Sequence, residues 1–515
     1  MDNAIASTMA DAPCNFYAEY RDLLESDEPE ELADFLDDLL PDHQLVPGMI
    51  WDELRYTAVI SLLATDYELE NPDESVLDAA FAGFHRAGFE EESQKAAFAL
   101  FDEAEMHSWS KSFQEAERAF DLARDAFGRL GFESKVADCS KQLGEINLRQ
   151  GYGEEAAREL HRALEVYNRA EQPIDAAECF HSLGNAYRSL AQTANAESNY
   201  LRAQSIFEAH GVDIRTADCL NDLGALYEAE GRIGDAETSF NLARDLYILC
   251  GHLEGLADVD HNLGVIYRAT ERFDEAEQSF RCALEAYSTL KLDLRVAGQH
   301  FDLGAVFAHT GRAEEAEVAF TEARDIYLSL ELDLGINLNA AECDRNLGIV
   351  LAEENRFKEA ETAFFQAKEV YERLGMTGRV ADCDLRLGNL SWSGKEYGQA
   401  EFFFREACSA FSRLRDEAST AGCFQNIGGV MSDAQNIVGA EEYLETARDI
   451  FQRLGQQGNV ANIDLKIGVV YARSGRTVEA ALAFSRARES FVSLGRLADA
   501  ESCVHNLELI IRPSG

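Results

Sequence analysis

Residues 223–243 have the sequence LGALYEAEGRIGDAETSFNLA, and equivalents of this stretch recur along most of the chain. Each equivalent begins with a Leu-Gly or Ile-Gly pair. The glycines recur at a regular step, with one slightly longer step after Gly304, and they are Gly144, Gly184, Gly224, Gly264, Gly304, Gly348, Gly388, Gly428 and Gly468. A fixed period of this length indicates a repeat protein instead of a single compact core.

Four further positions recur with the same period as the glycine. An alanine stands at one constant distance after each glycine, at Ala156, Ala196, Ala236, Ala276, Ala316, Ala360, Ala400, Ala440 and Ala480. A large apolar residue follows four positions later, another alanine three beyond that, and an aromatic residue after four more. Steps of three and four fall on one face of an α-helix. Each repeat is therefore predicted to be two helices joined by a short turn, often marked by glycine, as at Gly151, Gly231, Gly311 and Gly475.

The repeated Leu-Gly glycine lies inside a predicted helix, where glycine costs about 1 kcal/mol relative to alanine. A tertiary contact must offset that cost. We expect the bulky residue of the second helix to pack directly against this glycine, so that any larger side chain would collide with it. Because isolated helices of this length are marginal, each pair must also bury its apolar stripe against its neighbours.

The composition agrees with a helical protein that repels phosphate. The chain has 515 residues, of which 46% are hydrophobic and only seven are proline. Its formal charge of -48 comes from 94 acidic and 46 basic side chains. Such a charge disfavours nucleic acids and anionic membranes, and it favours encounters with basic partners. The predicted partner is a protein or peptide.

The N-terminus and the cysteines predict a cytoplasmic location. No secretory signal begins the chain, and no window approaches the roughly 20 apolar residues of a membrane span. The eleven cysteines are isolated in sequence, and seven of them lie five residues before the repeat glycine or its equivalent: Cys139, Cys179, Cys219, Cys343, Cys383, Cys423 and Cys503. Adjacent repeats lie too far apart for disulfides, so we expect small buried residues.

No motif in the chain indicates catalysis. The eleven histidines form no His-Glu-x-x-His pattern, there is no phosphate-binding loop, and no cysteine has metal-ligand spacing. The sequence therefore predicts no enzyme, no metal site and no cofactor. The frequent Glu-Ala-Glu triplets, such as Glu275–Glu277, are expected to be solvated surface.

The positions occupied by Leu223, Gly224, Tyr227, Ala236 and Phe240 resemble the tetratricopeptide repeat, and the resemblance extends from about residue 97 to the C-terminus. The period of about 40 residues is longer than the roughly 34 residues of the commonest form, and the usual closing proline is missing. This longer form is similar to the repeats of kinesin light chains and of spindle-orientation adaptors. The resemblance implies an all-α, right-handed superhelical solenoid of antiparallel helix pairs with a concave groove for extended peptides.

The same resemblance implies which side chains line that groove. The residue before each Leu-Gly pair is polar in all ten units. In related repeats this position faces the groove, where an asparagine amide can pair with a peptide backbone. Carried over, the position implicates Asn262, Asn346, Asn426 and Asn506. Nearby positions add Asn185, Arg188, Arg268, Arg345, Asn389, Trp392 and Arg473. Arg386 and Lys466 could select a ligand carboxylate. The alternative is that these side chains solvate the inner face or pair with acids of the next repeat.

Four segments are predicted. Residues 1–50 form an acidic N-terminal segment whose stripe of Leu32, Phe35, Leu36, Leu39 and Leu40 caps the first repeat, occupies the groove or docks on a partner. Residues 51–96 are a degenerate helical pair, the N-terminal cap. Residues 97–498 are the array of about ten repeats, and residues 499–515 are a C-terminal capping helix.

These observations predict a scaffold or adaptor that binds a peptide segment of a partner. A second possibility is a regulatory sensor whose repeats take up a small peptide and release an N-terminal effector segment, residues 1–90. The third class, an enzyme, requires a catalytic group of residues that the sequence does not contain. Self-association through a stack end or the N-terminal stripe stays open.

Overall fold

A computed structural model describes residues 90–330 and 334–511. The chain divides into two units, residues 1–255 and 256–515, which are considered separately below. The predictions for the acidic segment 1–50 and for the degenerate pair at 51–96 lie outside the described residues, except for residues 90–96. Every regular element in the described residues is an α-helix. The predicted all-α fold of consecutive helix pairs is confirmed.

In the first unit, each helix packs against those before and after it. These helices are α1 (Glu90–Trp109), α2 (Phe113–Leu130), α3 (Glu133–Gln150), α4 (Gly153–Arg169), α5 (Pro173–Ser189), α6 (Thr193–Ala209), α7 (Asp213–Ala229) and α8 (Ile233–Cys250). Odd-numbered helices are the first helices of the predicted pairs and even-numbered helices are the second. In the leading pair, α1 and α2, Ala104 stands where the later pairs have the repeat glycine.

The second unit continues the same pattern of sequential packing. Its helices are α9 (Leu253–Ala269), α10 (Phe273–Leu290), α11 (Asp293–His309), α12 (Ala313–Ser329), α13 (Leu334–Glu353), α14 (Phe357–Arg373), α15 (Thr377–Ser393), α16 (Tyr397–Arg413), α17 (Glu417–Asp433), α18 (Ile437–Arg453), α19 (Gln457–Arg473), α20 (Thr477–Ser493) and α21 (Leu497–Ile511). The role of α21 as a cap stays a prediction.

The repeat glycines stand where the two helices of a pair approach most closely. A methyl group placed on Gly224 would lie 2.6 Å from Cε1 of Phe240, and one on Gly264 would lie 2.6 Å from Cδ1 of Phe280. The same collision recurs in all nine pairs, at Gly144–Leu160, Gly184–Tyr200, Gly224–Phe240, Gly264–Phe280, Gly304–Phe320, Gly348–Phe364, Gly388–Phe404, Gly428–Leu444 and Gly468–Phe484. The predicted reason for the glycine column is therefore confirmed.

The seven cysteines of the column are buried and carry free thiols. Burial raises the pKa of the Cys139 thiol to about 12, with the nearby Asp138 carboxylate adding to the effect. The predicted role as small interior residues is confirmed. A thiol with such a pKa is almost never ionised at neutral pH, so it is a poor nucleophile and a poor metal ligand.

A tyrosine on the second helix ties several pairs together. The Tyr167 hydroxyl donates to Asp138 Oδ1 at 2.6 Å, and the Tyr247 hydroxyl donates to Asp218 Oδ1 at 2.6 Å. In each case the aspartate lies on the first helix of the same pair. A charged acceptor makes these hydrogen bonds stronger than neutral ones.

Buried carboxylates join neighbouring helices in the second unit. Asp344 on α13 accepts from Arg324 Nη1 at 3.3 Å, and Asp384 on α15 accepts from Lys368 Nζ at 2.6 Å. Their side chains are only 10% and 4% exposed. Burial raises the pKa of Asp344 to about 6, although Arg324 opposes the shift. These acids are held in the fold by their cations at a considerable desolvation cost.

Candidate functional site

Four of the groove residues proposed from the sequence lie together in the second unit. Trp392 on α15, Lys466 and Arg473 on α19, and Asn506 on α21 line a cleft of about 290 Å³. The remaining lining residues are Gly429, Ser432, Asp433, Leu444, Leu465, Val469 and Val470. We call this the α15–α21 cleft. All but one of its lining residues come from first helices, which is the surface that the repeat pattern singled out.

The indole of Trp392 forms one wall of the cleft because the next first helix has a glycine beneath it. A methyl group on Gly429 would lie 2.5 Å from Cη2 of Trp392. The ring also meets Phe404 edge to face, with centroids 6.3 Å apart and planes at 89°. Gly429 follows the repeat glycine Gly428, so consecutive glycines admit two different side chains: Leu444 inside the pair, and Trp392 from the preceding repeat.

Asp433 fixes two walls of the cleft at once. Its Oδ2 accepts from the Trp392 indole N–H at 3.0 Å, and its Oδ1 accepts from Arg473 Nη1 at 2.9 Å. Arg473 also donates to the Ser432 hydroxyl at 3.0 Å. Desolvation works against the Asp433 carboxylate, but the hydrogen bonds from Arg473 and Trp392 outweigh it and lower its pKa. Asp433 is therefore ionised at neutral pH and positions the indole.

Lys466 is the cation of the cleft that has no close acidic partner among the described residues. Its Nζ lies 5.9 Å from the centroid of the Trp392 ring. Burial lowers the pKa of Lys466, and the more distant charge of Asp433 only partly opposes this. Within residues 90–330 and 334–511, no carboxylate forms an ion pair with it. An acidic group entering the cleft would relieve this desolvated charge.

Several other groove residues have partners inside the protein. Arg188 donates to Asp222 at 3.3 Å and Arg268 donates to Asp302 at 3.1 Å, each from one first helix to the next. These pairs match the alternative interpretation, in which the polar side chains of the inner face bind acids of the adjacent repeat.

The central groove positions behave similarly. Arg345 and Arg386 share the Asp382 carboxylate, at 2.7 and 3.1 Å. Asn346 donates to the Glu342 carbonyl in its own helix at 2.8 Å.

The remaining asparagines are spread along the two units. Asn185 accepts from the Tyr200 hydroxyl at 2.7 Å, within the first unit. Asn262 and Asn426 are half-buried on α9 and α17, and Asn389 is exposed on α15. None of these four lines the α15–α21 cleft.

The expectation that the Glu-Ala-Glu triplets are solvated surface is wrong for the last residue of two of them, Glu277 and Glu317. Glu277 is 19% exposed and accepts from Arg312 of the next repeat at 2.5 Å, and also from Arg281. Glu441 likewise accepts from Arg476 at 2.7 Å, while the Arg476 guanidinium lies 4.1 Å from the Tyr471 ring centroid. We call such contacts arginine bridges; their arginines are Arg232, Arg312, Arg356 and Arg476. Their signal in the sequence was an arginine at the turn, about one repeat after a glutamate of the preceding second helix.

The described residues contain neither a metal-binding cluster nor a membrane-spanning helix. Within residues 90–330 and 334–511, no group of three His, Cys, Asp or Glu side chains could hold a metal ion. Across the same residues, no helix is both long and apolar enough to span a bilayer. The chemistry that the cleft provides is an aromatic wall, an apolar floor, a desolvated ammonium group and an amide.

The architecture defines a helical repeat protein whose first helices carry a ligand-sized cleft. Residues 177–210 and 255–329 each match the family described as Tetratricopeptide repeat. The chain therefore contains tetratricopeptide repeats in these two stretches. A search of curated proteins finds no match.

Several solved structures align with parts of this chain at low identity. A signal transduction ATPase with a tetratricopeptide repeat sensor from Pyrococcus horikoshii is 13% identical over 74% of this chain and 54% of its own, with a TM-score of 0.50. The apo form of the quorum sensor NprR from B. thuringiensis is 12% identical over 70% of this chain and 99% of its own, with a TM-score of 0.46. BtubC from P. vanneervenii is 22% identical over 45% of this chain and 92% of its own, with a TM-score of 0.39.

Proposed function

We propose that this protein is a scaffold or adaptor that binds a peptide segment of a partner protein in the α15–α21 cleft. The observation that carries the proposal is the meeting of Trp392, Lys466 and Asn506 in one concave site with an apolar floor. A concave apolar surface with a few convergent polar groups is the usual form of a binding site.

Each part of the cleft suits a different part of a peptide. An apolar side chain of the ligand would lie against Trp392, Leu465 and Val469. The Asn506 amide can both donate to and accept from a peptide backbone. An acidic side chain or a C-terminal carboxylate would pair with Lys466, so of the two kinds of partner that the sequence suggested, basic or carboxylate-bearing, this cleft favours the second.

The test begins with a library of random dodecapeptides selected on the whole protein, followed by calorimetry on the peptides recovered. We expect acidic, apolar peptides whose affinity falls about tenfold or more in Lys466→Gln and in Trp392→Ala, since a desolvated charge contact is worth about 1.4 kcal/mol or more. Replacing the acid of the peptide by its amide should remove the effect of Lys466→Gln.

Lys358→Gln is the matched control, because Lys358 is an exposed lysine on α14 outside the cleft. It should leave the affinity unchanged. Peptides that bind Lys466→Gln and Trp392→Ala as tightly as the original protein would show that the cleft is not the binding site.

The sensor alternative assigns the output to residues 1–90. Deleting residues 1–89 separates the two functions, since a scaffold keeps its partner complex and a sensor loses a ligand-dependent output. A non-catalytic role is part of the proposal and is supported by the burial of the thiols and by the raised pKa of Cys139. The cytoplasmic location stays a prediction.

A further inference from the structure

The arginine bridges show which side chains contact one another at the turns between helices. In the bridge at α20, Arg476 lies between Glu441 of the preceding repeat and Glu479 of its own helix, above the Tyr471 ring. Arg312 repeats this arrangement with Glu277, Glu315 and the Phe307 ring. Each bridge thus surrounds one guanidinium with two acids, and in the bridges of Arg232, Arg312 and Arg476 an aromatic ring also lies against it.

The junction between α14 and α16 keeps the acid of the preceding repeat but lacks the arginine, and Gln399 replaces the second acid. Glu361 occupies the position of Glu441, and at the following turn Glu396 stands where Arg476 stands in the other repeat. Ser391 replaces the aromatic residue of the first helix. Glu396 is exposed and Glu361 is half-buried. No described residue forms an ion pair with either glutamate, so this junction places two negative charges where the bridges hold opposite ones.

Exposed aromatic rings lie on α14, which carries Glu361, and on α16, which Glu396 precedes. Phe365, one helical turn after Glu361, is 42% exposed, and Phe402 on α16 is 57% exposed. Both rings meet Phe403 edge to face, with centroids 6.0 and 5.5 Å away. Phe365 occupies the position that Arg281 has in α10, where the arginine lies 5.7 Å over the ring of the next first helix. Phe365 therefore lies beside the bridge position, which Glu396 occupies in this junction.

We propose that Glu361, Phe365, Glu396, Phe402 and Phe403 form an acidic aromatic patch that docks a basic segment of a partner protein. An arginine or lysine of the partner would enter between Glu361 and Glu396, as the arginines of the bridges do within the array. An apolar side chain next to it would cover Phe365 and Phe402. A second copy of the chain fits less well, because a formal charge of -48 on each molecule opposes self-association. The patch shares no residue with the α15–α21 cleft.

The experiment uses a displayed library of random dodecapeptides selected on the whole protein and counter-selected on Glu396→Arg. That substitution supplies the missing arginine next to Glu361, so it should preserve the fold while filling the patch. We expect recovered peptides to contain arginine or lysine next to an aromatic or large aliphatic residue. Their affinity should fall about tenfold in Glu396→Arg and in Phe402→Ser, a loss of about 1.4 kcal/mol.

Two controls complete the design. Glu489→Arg makes the same change of charge at an exposed glutamate on α20 and should leave the affinity unchanged. Trp392→Ala should also leave it unchanged, which separates this patch from the cleft.

Four outcomes would overturn the proposal. Recovered peptides could lack basic residues, bind Glu396→Arg as tightly as the original, or lose affinity equally in Glu489→Arg. The fourth is a concentration-dependent dimer, seen by light scattering, that Phe402→Ser abolishes.

Discussion

Gly429 lies directly beneath the indole ring of Trp392, so close that a methyl group on it would stand 2.5 Å from Cη2 of that ring. The two residues belong to successive first helices, α17 and α15. The contact makes the tryptophan both a wall of the cleft and a link between adjacent repeats. Substitutions at the neighbouring glycines can separate these two roles.

Gly428→Ala should destabilise the protein by about 1–3 kcal/mol through overpacking, whereas Gly429→Ala should change stability far less. A methyl on Gly428 meets Leu444 Cγ at 2.7 Å and the Ala440 carbonyl oxygen at 3.2 Å, inside the pair. The atoms nearest to a methyl on Gly429 belong to the far end of the Trp392 ring, which can swing away at the cost of its hydrogen bond to Asp433. Both substitutions gain about 1 kcal/mol of helix propensity, so the difference between their urea midpoints reports packing alone.

The position of Trp392 gives an independent measurement of the same substitutions. In a background with Trp51→Phe and Trp109→Phe, Trp392 is the remaining fluorophore of the three tryptophans. Its emission should shift to the red in Gly429→Ala as the ring moves into water. Identical emission spectra for Gly428→Ala and Gly429→Ala would contradict this contact.

Asp344 should make the second unit less stable as the pH rises from about 4 to 6. Burial raises its pKa in the folded protein to about 6 from the ordinary 3.8, so the folded state holds a proton that the unfolded state releases. The stabilisation is complete below the unfolded value and is lost as the pH passes the folded one. A rise of this size in the pKa corresponds to roughly 3 kcal/mol. Urea unfolding of the original and of Asp344→Asn across this pH range should show the difference; parallel pH profiles would contradict it.

Lys368→Met should cost about 3 kcal/mol at pH 7, because it leaves the Asp384 carboxylate buried without its cation. Lys368 Nζ lies 2.6 Å from Asp384 Oδ1, and burial already raises the pKa of Asp384 even with this lysine opposing the shift. Without the lysine that pKa rises further, so the deficit should shrink as acid protonates the carboxyl.

The double variant Lys368→Met, Asp384→Asn is the control for this pair. It should recover most of the lost stability in thermal melts at neutral pH, because a neutral amide needs no cation. If the double variant is as unstable as Lys368→Met alone, the loss comes from packing and not from the unpaired charge.

Tyr247→Phe should lower stability by about 1–2 kcal/mol, the contribution of a hydrogen bond to a charged group. The Tyr247 hydroxyl donates to Asp218 at 2.6 Å. Tyr327 provides the comparison, because Gly298 stands where the aspartate would be, and no described residue forms a hydrogen bond with its hydroxyl. Tyr327→Phe should therefore change the free energy of unfolding by less than about 0.5 kcal/mol; equal losses in the two variants would exclude the Asp218 hydrogen bond as the cause.

The helix pairs could be predicted from the sequence because their determinants are local and repeated. Gly224 and Phe240 belong to one hairpin and lie close together in the sequence, so the periodic recurrence of such pairs predicts the contact without coordinates. The same reasoning placed Cys139 and its equivalents in the interior.

The sequence could not show which groove residues have partners inside the protein and which do not. Arg268 and Lys466 are both cations on first helices, yet Arg268 meets Asp302 in the next repeat while Lys466 has the indole of Trp392 nearby. Which acid comes within reach depends on the rotation between successive repeats, and a sequence period does not specify that angle. For the same reason, the contact between Gly429 and Trp392 could not be predicted from the sequence.

The seven buried thiols of the cysteine column make it possible to follow the unfolding of individual helix pairs. Cys139, Cys179 and Cys219 mark three hairpins of the first unit, and Cys343, Cys383 and Cys423 mark three of the second. Because an alkylating reagent reaches such a sulfur only after its own hairpin has come apart, pulsed labelling followed by peptide mass spectrometry would time each opening separately. The native chain thus carries a labelling site in each of these hairpins, and no engineered probe is needed.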